Sequence, residues 1–294
     1  MRRRRPGHGH ARRARQLNAL ALALALGSSV VWGCADFGGG MLTRRLPVFA
    51  VTCVSQAAGF VAICAVVVLR GELSGRSFAF GLLSGVGGGI GLASFYRALS
   101  LGTMSVVSPI AACSAVVPFV LSLATGERPA TVAAIGAIVA LAGAIVASLE
   151  ERSAAGDRSR AIVLAVVAAA ALGLFVYFLG LGSREGDAVS TLFGARVGSL
   201  SVLVALAVSL RAPLRVPRTS AGAVAAVGVA DIGANALFAY ASGHGLLALV
   251  SVLGSLYPVI TVLLAHVLLG ERLTSTQKAG VAIALAGVCA VAAA

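Results

Sequence analysis

From residue 19 onward the chain is an almost unbroken series of apolar runs, at about 19–40, 47–69, 78–99, 103–124, 130–149, 160–182, 188–210, 219–241, 246–269 and 275–294. A run of about twenty apolar residues spans the hydrocarbon core as an α-helix. Inside lipid every backbone N–H and C=O must be satisfied within the protein, which leaves only helices and closed barrels. A barrel would alternate apolar and polar residues over segments of about ten. These longer runs of Ala, Val, Leu and Gly predict an all-α polytopic membrane protein with ten transmembrane helices. Charge agrees: 11% of the residues are charged, against about 25% in a soluble domain, and most acidic residues fall in the breaks between runs.

The net charge of +13 raises the possibility of nucleic-acid binding, but its distribution argues otherwise. Residues 1–18 hold MRRRRPGHGHARRARQ, a basic tail with no interleaved aromatics. Placed before an apolar helix, it reads as a disordered cytoplasmic segment beside anionic lipid, with the N-terminus inside and the protein in the plasma membrane. It is not a cleavable signal peptide, because the first apolar run is too long and further spans follow. Loop charges argue the other way: Arg70, Arg76, Arg128 and Arg184 fall on the tail's side, while Arg44, Arg45, Arg97, Arg152, Arg158, Arg160, Arg211, Arg215, Arg218, Arg272 and Lys278 fall opposite. The first segment usually dominates, which keeps the N-terminus inside. The five cysteines all lie within spans without CxxC spacing or a nearby histidine cluster, so they read as packing residues, with no disulfide framework and no metal or other cofactor implied.

The chain also repeats itself. At a shift of 144, Tyr96 falls on Tyr240, Gly126-Glu127-Arg128 on Gly270-Glu271-Arg272, Gly136 on Gly280 and Gly143 on Gly287. With small shifts upstream, Ala171-Leu172-Gly173 answers Ala25-Leu26-Gly27, and Gln56 corresponds to Arg196. The organisation is then a first repeat over 19–149, a polar linker at 150–159 and a second repeat over 160–294. Because five spans per half is an odd number, the halves enter the membrane from opposite sides. Two inverted five-helix repeats are an architecture of secondary transporters, whose binding sites lie near the midplane between the halves.

The residues carry a resemblance as well. SLYPVITVLLAHVLLGERLTSTQKAGVAIALAG over 255–287, and FYRALSLGTMSVVSPIAACSAVVPFVLSLATGERP in the first half, resemble the EamA family of the drug/metabolite transporter superfamily. Ser114 stands where the second half has Pro258. The resemblance covers about 20–294 and implies a ten-helix metabolite transporter, often an exporter, with a central cavity lined by both halves.

In the repeated motif, Gly126 and Gly270 let the chain leave a helix. Glu127 and Glu271 can face the N-terminus of the helix that follows, and Arg128 and Arg272 sit at headgroup level. A charge-compensated hairpin and a gating or proton-carrying carboxylate are the two readings of these glutamates. Gly136 and Gly143, like Gly280 and Gly287, are two turns apart on one helix stripe, which suits close helix packing within a monomer or at a homodimer contact.

Ionisable residues within spans are costly and are functional candidates. Asp36 shares a face with Ser28 and Trp32 and reads either as an interfacial residue or as part of the pathway. Arg196, one turn from Ser199, either snorkels or pairs inside. Asp231, with Asn235 one turn on, is the strongest candidate. It either pairs structurally with Arg196 or binds substrate or a proton, and the two together could hold a zwitterion. Trp32, Gln56, Tyr177, Ser251, Ser255 and Tyr257 complete the candidate pathway, with Pro258 bending the ninth span. The expected function is secondary transport, by alternating access, of a small polar, amino-acid-like metabolite, driven by protons or by the substrate's own gradient. No Walker phosphate loop, HExxH or GxSxG is present, which argues against ATP hydrolysis and against a membrane-embedded enzyme. A channel or a structural membrane protein is the remaining alternative.

Overall fold

A computed structural model describes residues 8–101, 110–147, 149, 158–270 and 273–294. The described residues form helices and turns: α1 (His8–Thr43), α2 (Val48–Arg70), α3 (Gly75–Leu101), α4 (Ile110–Ala124), α5 (Thr131–Ala147), α6 (Arg158–Arg184), α7 (Ala188–Ser209), α8 (Arg218–His244), α9 (Leu247–Leu269) and α10 (Ser275–Ala293). Eight of these are long and apolar enough to cross a membrane; α4 and α5 are shorter apolar helices where the fourth and fifth spans are expected. The start of the expected fourth span, most of the linker and the pair Glu271-Arg272 lie outside the described residues. Helix α1 begins within the arginine-rich stretch expected to be disordered.

The helix ends follow from local chemistry. Gly71 and Gly270 close α2 and α9 in the left-handed conformation, at φ 73° and 67°, where a Cβ would be strained. Thr274 and Gln277 form a reciprocal capping box at the start of α10, satisfying two otherwise orphaned N–H groups. Asp187 caps α7, accepting from the Ser190 amide at 3.2 Å and from the Ser190 hydroxyl. Arg70 reaches the same carboxylate at 2.5 Å. Burial pushes the Asp187 carboxyl up, but the hydrogen bonds from Ser190 and Arg70 outweigh it and hold the group below its usual value.

The interior is lined largely by alanine, while Val61, Val68, Leu69, Val163, Val208 and Val267 point outward. This suits lipid, which is as apolar as the side chains it meets, so that small interior residues gain by close backbone approach.

Packing between the halves has a two-fold pattern. Helix α3 packs on α6 and α7, and its counterpart α8 packs on α1 and α2; α4 packs on α6 as α9 packs on α1. Helices α5 and α10 face each other. A Cβ placed on Gly136 would meet the Gly287 carbonyl and the Val291 amide, and one on Gly143 would meet the Gly280 carbonyl and the Ala284 backbone. Residues at equivalent positions therefore exchange partners, Gly136 with Gly287 and Gly143 with Gly280, as an antiparallel pair related by a pseudo-two-fold axis requires. These stripes are occupied within one chain and are not free to form a dimer contact.

Candidate functional site

Four helices bring polar side chains to mid-depth. Asp231 is the central residue of α8, Arg196 and Ser199 lie on α7, Gln56 on α2 and Trp32 on α1. Arg196 Nη2 donates to Asp231 Oδ2 at 2.5 Å, and Nη1 donates to Gln56 Oε1. The Ser199 hydroxyl donates to the same Gln56 oxygen at 3.1 Å, and Gln56 Nε2 donates to Asp231 Oδ2 at 3.4 Å. Trp32 Nε1 donates to Asp231 Oδ1 at 3.2 Å. Gln56 and Arg196, which correspond in the internal repeat, thus touch each other across the interface between the halves.

Several glycines make room for this arrangement. A Cβ on Gly59 would lie 3.3 Å from Arg196 Nε, and one on Gly228 would collide with the Ser55 carbonyl, so α2 and α8 meet backbone to backbone beside the guanidinium. A Cβ on Gly33 would overlap Ile260 and come within 2.9 Å of the Tyr257 carbonyl, so α1 presses on α9 where that helix breaks at Ser255-Leu256. Pro258 stands at the start of the second segment and has no N–H to continue the helix across the break.

The cluster is open on one side. The Arg196 side chain is 5% exposed and that of Asp231 is 26% exposed, so the carboxylate faces the opening and the guanidinium is sealed behind it. Asp36, one turn beyond Trp32, is exposed although protein surrounds it and Asp231 and Tyr257 lie within electrostatic reach. It therefore lines an internal opening, and it makes no hydrogen bond or ion pair among the described residues. Asn235 donates to the Asp231 carbonyl at 2.6 Å, leaving its own Oδ1 buried without a partner. The Trp32 ring lies between Phe238, at 5.7 Å, and Tyr257, at 6.4 Å and edge-on.

Other candidates lie elsewhere. The Ser251 hydroxyl donates to the Leu247 carbonyl in its own helix, and Ser255 is buried at the break in α9. Tyr177 is buried against Phe178, and among the described residues no hydrogen bond joins it to the Asp231 cluster.

Glu127 behaves differently from the hairpin reading. It accepts from the amides of Leu247 and Ala248 at 2.9 and 2.8 Å, at the N-terminus of α9 in the other half rather than of the helix that follows it. Arg184 pairs with it at 2.5 Å and donates to the carbonyls of Ser242 and Gly245 at 2.9 and 2.6 Å. Arg128 turns back onto the carbonyls of Leu123 and Glu127. In the sequence Arg184 stands out only as a loop charge, at the last residue of α6. Together with Arg70–Asp187 and Arg76–Glu185, this contact ties the two halves at one end of the molecule. Glu127→Gln is expected to keep the shape but lose the charge-assisted bonds, lowering stability by about 1.5–3 kcal/mol. Thermal melting of the purified protein checks this, and an unchanged Tm contradicts it.

Comparison with known proteins agrees with the internal repeat. The model of the EamA-like transporter family matches twice, over residues 19–149 and 159–293. A solved crystal structure superposes with a TM-score of 0.76 at 19% identity, covering 93% of this chain and 97% of that one; at that identity the likeness is one of fold. No curated protein matches the sequence significantly.

Proposed function

The chain belongs to the EamA-like transporter family and is a multi-pass membrane transporter, and from that premise we propose that it exports a small polar, amino-acid-like metabolite across the plasma membrane by alternating access. One observation carries the reading: the Arg196–Asp231–Gln56–Trp32 cluster lies at mid-depth between two halves of opposite orientation and is open on its Asp231 side. Buried charges in a membrane protein are expensive unless paired, and this pair is kept where a substrate would be held. The ion pairs of Arg70, Arg76 and Arg184 at one end support a carrier closed there, because a rocking motion of the halves would have to part them. Asp231, partly open and paired to Arg196, then exchanges a proton or a substrate cation during transport. Counterflow in proteoliposomes tests the reading. Saturable exchange, in which internal substrate accelerates uptake of labelled substrate, is expected; flux that never saturates would mark a pore.

A further inference from the structure

Donor and acceptor accounting around the opening narrows the ligand. The donor atoms of the cluster turn inward: Trp32 Nε1, Gln56 Nε2 and Arg196 Nη2 each donate to Asp231, and Arg196 Nη1 and the Ser199 hydroxyl donate to Gln56. The guanidinium is sealed from the opening, so a ligand anion cannot reach it without dismantling the pair. What faces the opening is acceptor capacity. Asp36 is open and unpaired, Asp231 is partly open, and Asn235, 4% exposed, holds an unpartnered Oδ1 beside Asp231. Two carboxylates thus stand beside a single guanidinium, an arrangement that a further positive charge would complement. The other titratable group facing Asp36 is Tyr257 on α9, whose hydroxyl can donate or accept.

We propose that this site recognises a protonated amine, anchored by Asp36 with Asp231 as the second acceptor, and that it does not require a ligand carboxylate. The inference rests on the transport reading and deepens it: of an amino-acid-like metabolite, only the ammonium end is recognised. An ammonium supplies the three N–H donors and the positive charge that the site lacks. A carboxylate on the ligand would meet Asp36 and Asp231 with like charge.

Trp32 is the chain's single tryptophan and hydrogen-bonds Asp231 directly, so its fluorescence reports occupancy. The purified full-length protein is titrated at neutral pH with three probes of one skeleton: phenethylamine, phenylalanine and 3-phenylpropionate. The expected result is a saturable response tightest for phenethylamine, weakened about tenfold or more by Asp36→Asn through loss of a charge-assisted contact and largely retained by Asp36→Glu. Because Asp36 makes no hydrogen bond or ion pair among the described residues, Asp36→Asn should elute as the wild type does in gel filtration. Equal or tighter binding of phenylalanine or phenylpropionate overturns the proposal, as does phenethylamine binding that ignores Asp36→Asn or is absent in the wild type. The carrier reading fails separately: Asp36-dependent amine binding without counterflow in proteoliposomes upholds the ligand class and removes the carrier.

Discussion

Asp231→Asn is expected to stop transport while the protein still inserts into the membrane. Asparagine keeps the size of the side chain and can still accept from Trp32, but it removes the counter-charge from Arg196, whose side chain is 5% exposed. Stranding one member of a buried pair costs about 3–5 kcal/mol, and the lower end applies because Asp231 is partly open and Gln56 still accepts from Arg196. A loss of transport could therefore reflect lost stability alone, and a second variant separates the two. Arg196→Gln combined with Asp231→Asn leaves neutral, hydrogen-bonding groups on both sides, and the melting temperature should recover much of the loss. Transport should not recover, because the Asp231 carboxylate is still missing. If Asp231→Asn transports at the wild-type rate with the same pH dependence, Asp231 has no part in coupling or binding. If the double variant regains transport, the pair is a structural device and the site lies elsewhere.

Gly143→Val is expected to cost the protein its fold rather than its activity alone. A Cβ there would lie 2.6 Å from Ala284 Cα and 2.8 Å from the Gly280 carbonyl. These are backbone atoms of the facing helix, so no side chain can rotate away and α5 and α10 must separate. Overpacking of this kind costs about 1–3 kcal/mol and more when the neighbour cannot yield. Gly280→Val should act similarly, since its Cβ would press on the backbone of Val146 and Ala147. Gly222→Ala is the control. Nothing lies within 4 Å of a Cβ at that position in α8, and alanine is the better helix former by about 1 kcal/mol. Detergent-solubilised yield and melting temperature should fall sharply for the first two and hold or rise for the third. A well-folded Gly143→Val would mean that the α5–α10 contact is looser than this geometry allows.

Much of the architecture was legible because lipid imposes a simple code. The apolar runs marked where helices could be, and the 144-residue shift with an odd number of expected spans pointed to inverted halves, an inference the exchange of partners between Gly136 and Gly287 and between Gly143 and Gly280 supports. The same glycines did not say which surface they would meet: a stripe of small residues invites a close neighbour without naming it. Glu127 shows the same limit more sharply. Its place next to a helix end made an N-terminal partner easy to foresee, yet the helix it caps begins 120 residues later, because sequence order and spatial neighbourhood part company when the two halves interlock.

Residue chemistry along one chain therefore determined the solvent, the helices, the repeat and a short list of buried charges that would need partners. The tertiary structure decided which charge met which and which side remained open. Arg196 and Asp231 are 35 residues apart and Trp32 is 199 residues from Asp231, distances over which helical periodicity carries no information. Only the packing of α1, α2, α7 and α8 sealed the guanidinium and left Asp231 partly open, since exposure and pairing belong to the space between helices rather than to any one of them.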